Sequence, residues 1–408
     1  MLEIKPKKFK VHSLTGRITS KLMQQAWKAV KRNKGAAGID RVTVQAYDKD
    51  KEENLNALIK RLKTRGGYKS PPLRRCYIPK GNTKQLRPLG IPTVDARCAQ
   101  EVIRQLIEPI YEPQFHDDSF GFRPGRNCHQ AVERVLKYTK MGYKHVVDID
   151  IKGFFDNIPH EVILTLLRSE IADGNILDII ETFLRSGVVE DGTLTPTTRG
   201  APQGGVFSPL SGNIVLNYLD WKLDKSGYKF VRYADDIVIL CKDHEQAKNA
   251  LAYTIEILAD LGLECSPEKT KISTMKNGFQ FLGFDISSQK VTIREKSREK
   301  FEDKIKKITT RSHNLDAKVI TKLNQVIRGT VNYFCTGFSK VSEYFRRTDN
   351  WIRERLRWMK YKSKRQTHHL KLKNKHIARR GLVGSKECMR QVITSWYSRK
   401  GKQVGVAH

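Results

Sequence analysis

Two places in the chain carry acids at a spacing that allows shared metal chemistry. In HVVDIDI, residues 145–151, apolar Val147, Ile149 and Ile151 alternate with Asp148 and Asp150. A strand has a two-residue period, so both acids stand on the face opposite the apolar side chains. In FVRYADDIVIL, residues 230–240, two apolar runs flank Ala-Asp-Asp, which reads as a β-hairpin with Asp235 and Asp236 at its tip. Two divalent ions about 4 Å apart can clamp the attacking and leaving oxygens of a phosphoryl or nucleotidyl transfer. Carboxylates, phosphates and water are the ligands Mg²⁺ takes. Strands bringing Asp150 beside Asp235 would build such a site. An isolated Asp-Asp is more often a plain turn; here the pair gains meaning from the first motif. A third segment, GAPQGGVFSPLSGNIVLN, offers Gly204 and Gly205 for close approach of backbone to a ligand. Gln203 adds a donor and acceptor beside them, and a helix after Ser208 could aim its N-terminus at phosphate.

Helices and strands must position these groups. Residues 20–33 and 51–63 read as helices around the glycine-containing loop NKGAAGID, and SPPLRRCYIPKGNTKQLRPLGIP reads as strand–turn–strand. Cys98, Val102, Leu106 and Ile110 recur at steps of four, one apolar helical face. Helices are predicted over 128–140, 160–172, 175–186 and 244–261, the last ending at Gly262. LECSPEKTKIS and FQFLGFDIS read as strands. After about Thr292 only helical stripes remain: Phe301, Ile305 and Ile308, then Ile320, Leu323, Ile327, Val331 and Phe334.

The 408 residues suffice for two or three domains and a sizeable core. Lys and Arg number 76 against 43 Asp and Glu, a formal +33, and such a surplus points to a polyanion, with nucleic acid ahead of an acidic membrane surface. From Trp351 onward the chain holds 17 Lys and Arg against 2 acids. The seven cysteines, at 76, 98, 128, 241, 265, 335 and 388, form no C-x-x-C pair, which argues against a zinc ribbon and suits a reducing compartment. No apolar run approaches a membrane span and the N-terminus lacks a signal-peptide pattern, so a cytoplasmic location is expected, bacterial or organellar.

Taken in order, NKGAAGID, LRRCYIPKG, LGIPTVDARCAQEVI, PIYEPQFHDDSFGFRPGRN, VVDIDIKGFFDNIPH, GAPQGGVFSPLSGNIVLNYLD, FVRYADDIVIL, FQFLGF and VIRGTVNYF resemble the reverse transcriptases encoded by bacterial group II introns. The resemblance implies an α+β right-hand polymerase with fingers and a ferredoxin-like palm over 1–290. A helical thumb/maturase region would span 291–360, and a basic nucleic-acid-binding extension 361–408. It implies that Asp150, Asp235 and Asp236, with Ile151, hold two Mg²⁺ ions, for which Mn²⁺ can substitute. Asp148 is not expected among the ligands, and Asp156 is read as structural. Phe155 would lie under the sugar and exclude a ribose 2′-hydroxyl. Arg74 and Lys80 would hold the triphosphate, Gln203 would touch the nucleotide, and Lys269 would protonate the leaving pyrophosphate. Arg328, Arg353, Arg355 and Arg357 would contact RNA. For Tyr333, Phe334, Trp351 and Trp358, packing is expected ahead of base stacking.

The implied activity is RNA-directed DNA synthesis combined with help in intron splicing. The implied partners are template and intron RNA, a DNA primer or target, and deoxynucleoside triphosphates, with no membrane. The sequence departs from the family at Ala96 and Ala201, where Asp and Thr are common. With one cysteine after 351, no zinc-binding endonuclease is expected. Two other readings stand beside this one: a relative serving defence or repair, and a splicing RNA-binding protein whose polymerase is idle.

Overall fold

The structure, a computed structural model, describes residues 9–79, 86–201, 204–365 and 367–404. The chain divides into two compact units, Met1–Ser273 and Thr274–His408.

The first unit opens with α1 (Ser20–Asn33), which buries Met23, Ala26, Trp27 and Val30 at helical spacing, and the Thr19 hydroxyl caps its start. Short α2 (Val44–Lys49) and α3 (Lys51–Lys63) follow. Strands β1 (Leu73–Pro79) and β2 (Leu86–Ile91) pair antiparallel, from Arg74 opposite Ile91 to Pro79 opposite Leu86. Helix α4 (Val94–Tyr111) is buried along nearly its whole first half, polar Gln100 and Glu101 included.

Next comes α5 (Cys128–Lys140), whose start is fixed by a reciprocal capping box between Asn127 and Gln130. Strand β3 (His145–Ile149) and helices α6 (Phe154–Asn157), α7 (His160–Glu170) and α8 (Gly174–Leu184) lead to the hairpin β4 (Val188–Glu190) and β5 (Thr193–Thr195). Strand β4 runs parallel to β1, giving the sheet order β2-β1-β4-β5. Helix α9 (Ser208–Lys225), strands β6 (Lys229–Tyr233) and β7 (Asp236–Cys241), helix α10 (His244–Asp260) and strand β8 (Lys271–Thr274) complete the unit.

The central sheet runs β6-β7-β3-β8, with β7 antiparallel to both β6 and β3. Val147, Ile149, Ile237, Ile239 and Cys241 point into one apolar core with α9 and α10 residues such as Leu216, Leu219 and Leu258. Because side chains alternate, Asp148, Asp150 and Asp236 lie on the other face. The strand expected in LECSPEKTKIS is confined to Lys271–Thr274; residues before it form a turn, with a lone bridge from Cys265 to Ile151.

The second unit starts with an antiparallel meander of β9 (Phe279–Phe281), β10 (Phe284–Ile286) and β11 (Val291–Ile293). FQFLGFDIS is thus two strands, turning at Leu282 and Gly283, both at positive φ. Helices α11 (Glu295–Ile308), α12 (Ala317–Phe334), α13 (Ser342–Tyr361), α14 (His368–Lys371), α15 (Asn374–Arg379) and α16 (Ser385–Val404) follow. The expected α12 stripe, Ile320 to Phe334, is buried throughout. Tyr333 and Phe334 pack with Phe284 and Phe338, and the Tyr333 hydroxyl donates to the Leu282 carbonyl at 3.0 Å. Asp349 on α13 accepts from the Ser385 amide and hydroxyl and so fixes the start of α16. Among the described residues, no helix is long and apolar enough to cross a membrane.

Candidate active site

The ladder between β3 and β7 sets the acids. Asp148 pairs with Val238 and Ile149 with Ile237, so the next step of the register puts Asp150 opposite Asp236. Tyr233 pairs with Asp236, leaving Ala234 and Asp235 as a two-residue loop at the sheet's edge. Ala234 sits at φ +57, a left-handed conformation that a side chain resists.

The 264–270 segment pins Asp150 from its other side. The Asp150 carbonyl accepts from the Ser266 amide at 2.7 Å, and its amide donates to the Thr270 hydroxyl at 3.4 Å. Lys152 N donates to the Glu264 carbonyl at 2.9 Å, and buried Ile151 bridges to Cys265. Lys269 Nζ lies 3.0 Å from Asp150 Oδ1.

The carboxylates feel one another. Burial raises the Asp235 carboxyl above its ordinary value; Asp150 adds to the rise, while a backbone hydrogen bond, Arg87 and Arg232 oppose it. Asp148 is pushed up to about 6, by burial first and then by the charges of Asp236 and Asp150, against the pull of Lys271. Asp148 thus feels Asp150 and Asp236, and Asp235 feels Asp150, and a cluster of acids of this kind gains from a cation. Among the described residues, no three His, Cys, Asp or Glu side chains converge tightly enough to hold an ion as they stand. The donors are hard oxygens, which fit Mg²⁺ or Mn²⁺ and not a thiolate-seeking metal.

Phe155, on α6, meets Phe154 edge to face at 5.0 Å and presses on α9, where a Cβ at Gly212 would lie 3.1 Å from its ring. The Phe155 carbonyl accepts from Ala201 N at 2.8 Å, the Ile158 carbonyl accepts from Gly200 N at 2.8 Å, and His160 Nε2 sits 2.9 Å from the Gly200 carbonyl. The PQGG loop is therefore tied to the segment carrying Phe155. On its far side Gly204, at φ +111, backs onto β2: a Cβ there would come within 2.7 Å of the Gly90 carbonyl oxygen. Buried Gln100 accepts from Val206 N at 2.7 Å. Ala201 and Ala96 are both buried. Gln203 and Lys80 lie outside the described residues.

Arg74 points toward the NKGAAGID loop, where its Nε and Nη2 donate to the Ala37 carbonyl at 3.2 and 2.8 Å. Arg97 does the same for Ala36 at 2.7 Å. In the second unit, Arg328 is exposed, and Arg353 is half-buried beside Asp349 at 3.7 Å. Arg355 donates to the hydroxyl and carbonyl of Thr309, closing the end of α11, and stacks over Trp351. Buried Arg357 donates to the Leu372 carbonyl at 3.0 Å and to Asn374 at 2.6 Å. These last two guanidinium groups are committed to internal contacts.

Sequence reasoning passed over the polar groups behind the hairpin: Arg232, Asp220 and Asn213, all buried, and Gly121 against the tip. Their signal was a charged or amide side chain inside otherwise apolar runs, FVRY and SGNIVLNYLD.

Residues 78–286 match the family described as reverse transcriptase (RNA-dependent DNA polymerase). Residues 298–379 match the group II intron, maturase-specific domain. The chain belongs to the group II intron reverse transcriptase/maturase family. The group II intron-encoded protein LtrA of Lactococcus lactis subsp. cremoris is 30% identical over 403 residues, 74% of this chain and 66% of that protein. Protein YkfC of Escherichia coli K12 is 32% identical over 57% of this chain and 70% of its own length. A mitochondrial nuclear intron maturase 2 of Arabidopsis thaliana is 26% identical over 60% of this chain and 40% of that protein. The chain spans 66% of the length of LtrA. Among solved structures, a Candida albicans telomerase overlaps 87% of this chain and 67% of that chain at TM-score 0.45 and 13% identity, too low for the likeness to carry an argument. The reverse transcriptase match spans both acidic motifs and the PQGG loop, and the maturase match covers α11 through α15 almost entirely.

Proposed function

We propose that the chain is an RNA-directed DNA polymerase that extends a primer 3′-hydroxyl with deoxynucleotides at Asp150, Asp235 and Asp236, and that its second unit binds intron RNA and assists splicing. The observation that carries the polymerase reading is the electrostatic meeting of Asp150 and Asp235, brought about by the β3–β7 register. Two Mg²⁺ or Mn²⁺ ions held by these carboxylates, with the backbone at Ile151, would supply an activated 3′-oxygen and a neutralised pyrophosphate.

The chain's own groups do the rest. Phe155, wedged against Gly212, presents a fixed ring that excludes a 2′-hydroxyl. Lys269 waits on Asp150 as a proton donor for the leaving group. Arg74 and Lys80 bind the triphosphate, which requires Arg74 to leave the Ala37 carbonyl, and Gln203 contacts the nucleotide. Arg328, exposed on α12, is the best placed of the four thumb arginines for RNA phosphates; Arg353 is shared with Asp349 and Asn350, and Arg355 and Arg357 bond to Thr309 and Leu372.

The test is primer extension on an RNA template with deoxynucleotides and Mg²⁺. Extension that EDTA stops and the Asp235→Ala variant lacks supports the proposal. No extension by the native chain, with intron RNA still spliced in its presence, leaves an RNA-binding splicing factor.

A further inference from the structure

Among the described residues, Arg232 is the largest side chain with essentially no exposure, and it is charged. Its Nε and Nη2 are 2.8 and 2.5 Å from the two oxygens of Asp220, itself fully buried. That pairing alone satisfies the charge. A buried pair of this kind is typically no more stable than apolar residues of the same volume, so stability does not explain its presence. The third nitrogen, Nη1, does something else: it donates to the Ala234 carbonyl at 3.0 Å and to Asn213 Oδ1 at 2.9 Å.

The Ala234 carbonyl belongs to the peptide group whose nitrogen is that of Asp235. Ala234 is held at φ +57, a conformation that persists only where its surroundings impose it. The other side of the same residue is blocked by Gly121: a Cβ there would come within 2.3 Å of the Ala234 nitrogen. Gly121 is fastened in turn, since Asn213 Nδ2 donates to its carbonyl at 2.9 Å. The loop around it runs beside β6, with Arg232 N donating to the Asp118 carbonyl at 2.9 Å and Phe120 N donating to the Arg232 carbonyl at 2.8 Å. The hairpin tip is therefore gripped on its carbonyl by Arg232 and on its amide side by Gly121, and Asn213 joins the two grips.

We propose that Arg232, held by Asp220 and Asn213, is the positioning residue that sets Asp235 against Asp150 for metal binding. The proposal rests on reading Asp235 as a metal ligand and assigns the machinery that aims it.

The test compares metal binding with stability. Arg232→Met combined with Asp220→Leu removes both charges at similar volume, and Asn213→Ala removes one link. Leu62→Ala, buried on α3, serves as a destabilised control on a different element. Mn²⁺ binding to the free protein is followed by electron paramagnetic resonance of the unbound ion, beside melting temperature and the Mg²⁺ dependence of primer extension. The expected result is Mn²⁺ affinity weaker by about tenfold in both hairpin variants, the scale of one lost charge-assisted hydrogen bond. The Mg²⁺ needed for half-maximal extension should rise to match, with the rate recovering at high Mg²⁺. The Leu62→Ala control should melt lower with unchanged metal affinity. If the double variant does not fold, Asn213→Ala decides alone. Hairpin variants that bind Mn²⁺ as the native chain does, or a control that weakens it equally, overturn the positioning role. Native protein whose Mn²⁺ binding is untouched by Asp235→Ala overturns the metal-ligand reading itself.

Discussion

Asp148 gives a prediction with a sign and a size. It is half-buried on the acid face of the central sheet, and its carboxyl is pushed up to about 6 by burial and by Asp236 and Asp150. In the unfolded chain an aspartate titrates near 4. The folded state therefore holds this proton more tightly than the unfolded state. Its contribution to stability is fully present below about pH 4 and is lost as pH rises through about 6. At about 1.4 kcal/mol per pH unit, ionised Asp148 costs the metal-free fold about 3 kcal/mol, which partial solvent screening reduces toward 2. Replacing Asp148 by Asn removes the charge at constant shape. Without metal at pH 7.5, the variant should melt about 4–8 °C above the native protein, given about 2–4 °C per kcal/mol for a large domain. At pH 4 the two should melt together. Mg²⁺ bound as proposed by Asp150 and Asp236 would offset their charge, so its addition should shrink the gap. Calorimetry across pH 4 to 8, with and without Mg²⁺, reads all three. A variant that melts lower at pH 7.5, or a gap that ignores pH, would refute the electrostatic picture of this face.

Other outcomes follow from the same structure. Replacing Asp235 and Asp236 by Ala should cut primer extension by about a thousandfold or more while RNA binding, measured by filter retention, stays within about twofold. Phe155→Val opens space above Gly212 and should raise ribonucleotide incorporation about tenfold or more, read by single-nucleotide extension with competing substrates. Asp349→Ala strips the Ser385 amide and hydroxyl of their acceptor and should destabilise the second unit by about 1–3 kcal/mol in urea unfolding, leaving nucleotide addition rates by the folded protein unchanged.

What could be read in advance was what depends on local pattern. Alternation in HVVDIDI gave the strand and its two faces, because a half-buried strand must alternate. The Ala-Asp-Asp break gave the hairpin, and the α12 stripe gave its buried side. The β4–β5 hairpin went unread although Asp191-Gly192, both at positive φ, is a strong turn signal; its strands are only three residues each. Charge counting failed for single residues. Arg355 and Arg357 look like surface bases in sequence, yet each is drawn inward by acceptors 46 and 15 residues away, Thr309 and Leu372. Nothing local encodes such partners, because a guanidinium's burial is decided by which carbonyls and carboxylates the tertiary fold leaves unpaired. The same holds for Arg74, whose bond to Ala37 spans 37 residues.

The most direct measurement is anomalous diffraction at the manganese edge from crystals grown with Mn²⁺, a primer on an RNA template and an incoming nucleotide that cannot react. Two peaks about 4 Å apart, bridged by Asp150 and Asp235, are the predicted result. Manganese bound elsewhere, or held by Asp150 with the hairpin acids turned away from it, would contradict the account.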